Sequence, residues 1–390
     1  MDPATLALAA LVWHGSMEIA TGRGERGPWQ QNESRYDYVD DPTVAIDERG
    51  NVAIAWVDQK RKDVFFGKQG EAVNVSRSPQ TLSWLPRIVS RGGNVFVLWQ
   101  EIIFSGGSHG GEMLFARSSN GGRTFSEPQN LSDSVAGDGK GRIDKDYWHN
   151  GSFDLVVGAD GMIHTAWTEY EGALWYRRSA DGGKTFSAKT RVPDAKPARA
   201  PSLAAHRGTV YLAWTVGDDR AADIRVSRDF GAPVIVGKSK GYSDAPKLAV
   251  DARGTVHLVY SDEGRILYSR SKDGARSFEQ PRDISDRGAG GFPALDVDAN
   301  GNVYVIWERF TEHAFLARGL GIAVSSDGGA TFKAGAVPGA AGDGWNGSLQ
   351  GLLMRKLALG PDGTFAIVNS SFKENERSRV WLMRGQLQPQ

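Results

Sequence analysis

The chain has 390 residues, with 46 Lys plus Arg against 46 Asp plus Glu, and so a formal net charge of zero. That balance argues against a broad polyanion-binding surface, and no nucleic-acid partner is expected. The absence of cysteine excludes disulfides, thiolate metal sites and a cysteine nucleophile.

The chain opens with an apolar run, Thr5 to Trp13, too short to span a membrane. It reads as a strand that helps close a repeat fold, or else as what remains of a signal-peptide core, although no positive residue precedes it. We read the chain as exported, with a cytoplasmic location left open, and expect no membrane span. A polar and aromatic loop follows, holding Trp29, Gln30, Asn32, Glu33, Arg35, Tyr36, Tyr38, Asp40 and Asp41.

Then a repeat begins: Pro, alternating apolar residues, a Gly turn, a second alternating run and a closing Trp. Its copies span Pro42 to Trp56, Pro86 to Trp99, Phe153 to Trp167, Pro201 to Trp214, Pro246 to Tyr260, Pro293 to Trp307 and Arg355 to Asn369. Each copy is two period-2 strands joined by a turn, the signature of a hairpin. Their closing positions lie roughly 43 to 68 residues apart, a spacing suited to propeller blades. The last copy is the least regular, with Asn369 where Trp is expected.

A second motif, S-x-D-x-G-x-T-F, follows the third strand of several repeats. It is read at Ser118–Phe125 (with Asn120 for Asp), Ser179–Phe186, Ser271–Phe278 and Ser325–Phe332, with a broken copy at Ser227 to Gly231. The Asp or Asn can bond turn amides, Gly accepts positive φ, the Thr hydroxyl can close the loop, and Phe returns to the core.

These turns resemble the Asp boxes, or BNR repeats, of sialidases and their relatives, and the resemblance implies a β-propeller. We therefore expect an all-β, single-domain chain over residues 1–390. It should form a seven-bladed propeller of four-stranded antiparallel blades, with the six blades of true sialidases as the alternative. The last blade needs a strand from the N-terminus, either Leu6 to Trp13 or Ser16 to Ala20, which would remove exposed sheet edges.

In such a fold, the loops leading into each first strand and those between strands two and three open on one face, where a site is sought. Three features map there. The first is a shared turn, Trp148-His149-Asn150-Gly151 and Trp345-Asn346-Gly347, where an aromatic beside amides suits sugar binding. The second is a carboxylate just after the blade Trp: Asp58, Glu101, Glu169 and Glu308, able to act as acid, base or cation ligand. The third is a supply of arginines, namely Arg35, Arg61, Arg87, Arg142, Arg199, Arg309 and Arg355, suited to holding a planar anion.

The sialidase resemblance implies a Tyr nucleophile paired with Glu, an Asp acid/base, and three Arg around the substrate carboxylate. Glu169 and Tyr170 supply the first two groups side by side, Tyr36, Tyr38 and Tyr147 are alternatives, and Asp41 is available as the acid/base. The Arg-Ile-Pro string of sialidases is absent; Pro86-Arg87-Ile88 has a different order. The leading expectation is a sialidase-like glycosidase acting on an anionic glycan. A seven-bladed polysaccharide lyase using His109, His149 or Tyr147 beside Arg142 is the first alternative. A non-catalytic glycan-binding propeller is the second. No cofactor and no metal are expected. Calcium at Asp138, Asp144 and Asp146 is left open, because Lys140, Arg142 and Lys145 oppose it.

Overall fold

The computed structural model describes residues 11–30, 32–102, 111–134, 152–193, 195–218, 220–286, 288–311, 316–342, 344–347 and 354–387. Among the described residues, seven antiparallel sheets of four or five strands follow one another along the chain, six built from consecutive strands and the last also from two N-terminal strands. The first strands are Val39–Ile46, Leu82–Arg91, Phe153–Val157, Ala198–His206, Ser243–Val250, Ala289–Val297 and Leu357–Leu359. Each touches the next, and the seventh touches the first, so the sheets close into a ring. The protein is a seven-bladed β-propeller, and the blades are numbered here in chain order.

Closure uses both expected N-terminal segments. Met17–Gly22 pairs with the third strand of blade 7, Arg377–Leu387, and Leu11–Trp13 continues along the same strand. Between them the His14 amide bonds the Arg384 carbonyl at 2.8 Å. The edge left by blade 7 is thereby covered, at the cost of ordering only a short segment.

Alternation along the strands builds the core between blades. In blade 1, Val44, Ile54 and Trp56 pack with Ala366 and Val368 of blade 7, while Ala53, Ala55 and Val57 pack with Ile88, Val97 and Trp99 of blade 2. The repeated Trp56, Trp99, Trp167, Trp214 and Trp307 are buried.

The Pro of the repeat has a role that reading it as plain hairpin misses. Pro cannot donate to a ladder, and a bulge sits at that point in five first strands. The residue before Pro takes positive φ in each: Asp41 at 50°, Leu85 at 55°, Ala200 at 48°, Ala245 at 55° and Phe292 at 50°. These are left-handed conformations without glycine, a strain that persists only where surrounding structure holds it. The bulges lie beside several of the residues that carry the charged centre described below: Asp40, Asp41, Arg87 and Lys247.

Candidate functional site

The structure separates the four carboxylates that follow the blade Trp. Glu101 accepts the Trp99 indole N–H at 2.9 Å and the Ser83 hydroxyl at 2.7 Å, with Thr81 also donating. Glu169 accepts the Trp167 indole at 2.9 Å and the Lys189 ammonium at 3.0 Å. Asp58 caps a turn, accepting the amides of Lys60 and Arg61 at 3.0 and 3.1 Å. All three stand two residues beyond the Trp, on the same face of the strand. Glu308 stands one residue beyond Trp307 and faces the other way.

Tyr170 and its neighbours form a short 3₁₀ turn, Tyr170–Gly172. Its ring is 39% exposed, and Glu171 in the same turn pairs with Lys196. With Glu169 engaged by Trp167 and Lys189, the adjacent Glu169 and Tyr170 do not present a free carboxylate to the phenol.

Glu308 lies in a buried network at the meeting of blades 6, 7 and 1. It pairs with Lys356, and Asn346 donates to it at 2.5 Å. The same Asn346 exchanges bonds with Gly319, donating to its carbonyl at 2.8 Å and accepting from its amide at 2.9 Å. Lys356 also donates to Asn369 at 2.6 Å. The irregular Asn369 thus gives Lys356 an amide oxygen where the other repeats have a Trp or Tyr. Burial raises the Glu308 pKa, opposed by Lys356 and Asn346.

Asp40 and Asp41 adjoin this network. Ser370 donates to Asp40. The Asp41 Oδ2 accepts the Leu85 amide at 3.2 Å, whereas its Oδ1 has no hydrogen-bond partner among the described residues although Asp41 is only 1% exposed. Burial, then the Asp40 charge, push the Asp41 carboxyl well above the usual carboxylate range. That favours a protonated acid.

At the ring axis, Arg355 reaches across from blade 7 to blade 3. Its Nη2 stands 2.9 and 3.0 Å from the two Asp154 oxygens. Arg87 of blade 2 approaches the same carboxylate at 4.0 Å, and its guanidinium lies 5.0 Å from the Phe153 ring centre. Lys247 of blade 5 completes the group. Burial, then Arg87 and Arg355 against Asp154, bring its pKa down to about 8. Asp296, half-buried nearby in blade 6 and accepting amides from Val297 and Leu359, is pushed up to about 6, desolvation being the first cause.

Two of the expected arginines, Arg87 and Arg355, therefore meet on one carboxylate. The others are dispersed: Arg35 is exposed, Arg61 pairs with Asp58, Arg199 with Asp244 at 3.3 Å and Arg309 with Asp286 at 2.8 Å. Among the described residues, three arginines do not converge. Arg142, Tyr147, Trp148, His149 and Asn150 lie outside the described residues, as do His109 and the three aspartates considered for calcium. No group of three or more His, Asp or Glu is placed to hold a metal among the described residues.

A cleft of about 510 Å³ opens over the blade 6–7–1 seam, lined by Trp345, Tyr38, Phe372, Arg26, Arg318, Lys373 and Glu374. Trp345 is fixed by two backbone bonds with Phe372, at 3.1 and 2.8 Å. Gly347, with φ of 69°, seats the turn directly on the charged network. A Cβ there would lie 2.2 Å from the Ser370 hydroxyl and 2.3 Å from Asp40 Oδ1. Tyr38 is buried, and its pKa is raised by burial, then by Asp40 and Asp41, against Arg26. Of the cleft residues, sequence reasoning named Trp345 and Tyr38 and missed Arg26, Arg318 and Lys373. The nearest signal for Arg26 was its place in the long loop before blade 1.

No protein-family model and no curated protein matches this chain. Solved structures are similar in fold. A protein of unknown function from Dyadobacter fermentans shares 12% identity, with 96% of this chain and 100% of that one covered and a TM-score of 0.53. An ulvan lyase, bound to a glucuronate–rhamnose 3-sulfate unit, shares 11%, with 95% of each chain covered and a TM-score of 0.52. The intramolecular trans-sialidase of Ruminococcus gnavus shares 12%, covering 79% of this chain and 96% of its own, with a TM-score of 0.51. At these identities the likeness is one of fold. No helix among the described residues is long and apolar enough to cross a membrane.

Proposed function

We propose that this propeller takes an acidic carbohydrate in the cleft at the blade 6–7–1 seam. The observation that carries this reading is the lining: the Trp345 and Tyr38 rings beside Arg26, Arg318 and Lys373, with Glu374 as the one carboxylate among the described lining residues. An indole face suits stacking on the apolar face of a sugar, and guanidinium and ammonium groups suit its carboxylate or sulfate. Two structures of similar fold handle acidic glycans, which supports the reading without deciding it.

Between the two chemistries considered, the surroundings of Tyr38 favour elimination over sialidase-type hydrolysis. A phenol held protonated by burial and by the neighbouring Asp40 is a poor nucleophile, which weighs against tyrosine-nucleophile hydrolysis. In an elimination it would return a proton to the leaving glycosidic oxygen after a separate base had taken the proton alpha to the uronate carboxylate. The cations beside it would neutralise a uronate carboxylate.

The test is turnover of acidic polysaccharides, followed by ultraviolet absorbance of an unsaturated uronate product, in parallel with release from an α-sialoside. Absorbance growth that falls at least tenfold in Tyr38→Phe, with affinity falling in Trp345→Ala and Arg318→Ala, is the expected result. Sialoside release that survives Tyr38→Phe would replace elimination by hydrolysis. Neither binding nor turnover of any acidic glycan would overturn the proposal.

A further inference from the structure

A second aromatic feature stands on the same face, and the seam cleft does not use it. Trp29 is 47% exposed, an unusual state for the largest side chain. Its ring lies 5.6 Å from that of Trp84, tilted by 48°. Trp84 is itself fixed, its indole N–H donating to the buried Gln59 at 3.1 Å. The tip that carries Trp29 is ordered as well. The Gln30 amide bonds the Ser34 hydroxyl at 2.7 Å, Glu33 bonds back to Gln30 at 3.1 Å, and Lys62 holds the Asn32 carbonyl. The exposed ring is therefore presented on a rigid support, with the polar Gln30 beside it.

This platform is continuous with the cleft. One hairpin, Glu25–Arg26 paired with Tyr36–Asp37, brings Arg26 to the cleft and carries Trp29 at its tip. Trp29 is three positions beyond Arg26, so their Cα atoms lie at most about 11 Å apart. A ligand held at Arg26 and extending toward blade 2 comes to Trp29 within a few sugar units. An aromatic pair rimmed by amides is a surface on which a sugar ring stacks, and it is small for a protein interface.

We infer that Trp29 and Trp84 form a distal sugar-stacking subsite, so that the ligand is an oligomer of acidic sugars running from the seam cleft to the lip of blade 2. This rests on the proposed acidic-glycan reading. It adds that recognition is of an internal stretch of polymer, not of one terminal sugar.

The experiment is calorimetric titration of the whole chain with two size-fractionated ladders, oligouronates and oligosialic acids, from disaccharide to octasaccharide. In the unaltered protein, affinity should rise with length along one ladder. Trp29→Ala should flatten that rise, weakening the longest ligands about tenfold while leaving the disaccharide unchanged. Trp29→Phe should restore most of it, and Trp345→Ala should weaken every length. A length dependence that survives Trp29→Ala, or an equal loss at every length, overturns the distal subsite and leaves the cleft standing. Affinity that does not grow with length does the same. Failure of the unaltered protein to bind either ladder overturns both. Self-association abolished by Trp29→Ala would assign the platform to a second copy of the chain and also overturn the subsite.

Discussion

Carboxylates do opposite things at the rim and at the centre of this propeller. At the rim, Asp181, Asp273 and Asp327 each accept two hydroxyls and two amides of their own turn. Thr185 donates to Asp181 at 2.6 Å and Thr331 to Asp327 at 2.6 Å, with Ser179 and Ser325 donating at 2.8 and 2.7 Å. Their pKa values are lowered by these bonds, with Asp327 held down in spite of some burial. At the centre, Asp41, Asp296 and Glu308 are raised, burial being the first cause in each case. Carboxylates closed on their own turns are staples. Carboxylates packed among residues of other blades have their protonation set by that packing.

This contrast can be broken, and the largest effect should come from the seam. Lys356→Met leaves Glu308 buried without its cation and should cost about 3 to 5 kcal/mol in denaturant unfolding. The double variant with Glu308→Gln should recover much of that loss. Equal stability of the single and double variants would show that the pair is not coupled.

The axis should show itself in the pH dependence of stability. The folded pKa of Lys247, about 8, lies below the 10.5 of a free lysine. Between these values the unfolded chain holds the proton more tightly, so stability rises with pH across that window, by up to about 3 kcal/mol. Lys247→Met should remove that slope in melts recorded from pH 8 upward. On the acid side Asp296 is opposed by His257, a buried residue of the second strand of blade 5 that stands 3.7 Å from Asp251. His257, brought down to about 4, loses stability as pH falls from 6.5 to 4, whereas Asp296, at about 6, gains it as pH falls below 6. Asp296→Asn should therefore steepen the acid loss of stability relative to the unaltered chain.

A smaller effect is expected at Gly347. Alanine there meets both a positive φ and the Asp40–Ser370 contact, so Gly347→Ala should cost more than about 1 kcal/mol and weaken glycan binding as well. The smallest belongs to the rim. Asp327→Ala should cost about 1 kcal/mol, read as a lowered Tm, and leave glycan affinity unchanged. A change in affinity there would end the distinction between the two regions.

Some of the centre was within reach of a closer sequence reading. Glu308 follows its Trp by one residue where Asp58, Glu101 and Glu169 follow by two, and strand alternation alone puts it on the other face. Asn369 broke the repeat at the point where Lys356 needed a partner. The turns at the rim are legible because every bond they make stays within a few residues. Gly122, Gly183 and Gly329 add one reason for their glycine: a Cβ would strike Phe66, Phe115 or Tyr268 of the preceding blade.

What the sequence determined by itself was therefore whatever repeats or is local: seven hairpins, their turns, the buried Trp residues and closure by the N-terminal strand. What only the tertiary structure decided was which residues meet at the axis and the seam. Arg355 and Asp154 are 201 positions apart and share no motif. They meet because ring closure sets blade 7 across from blade 3. Likewise Arg26, Tyr38, Arg318, Trp345 and Lys373 come from three blades and the loop before them, and periodicity carries no information about contacts made only when the ring closes.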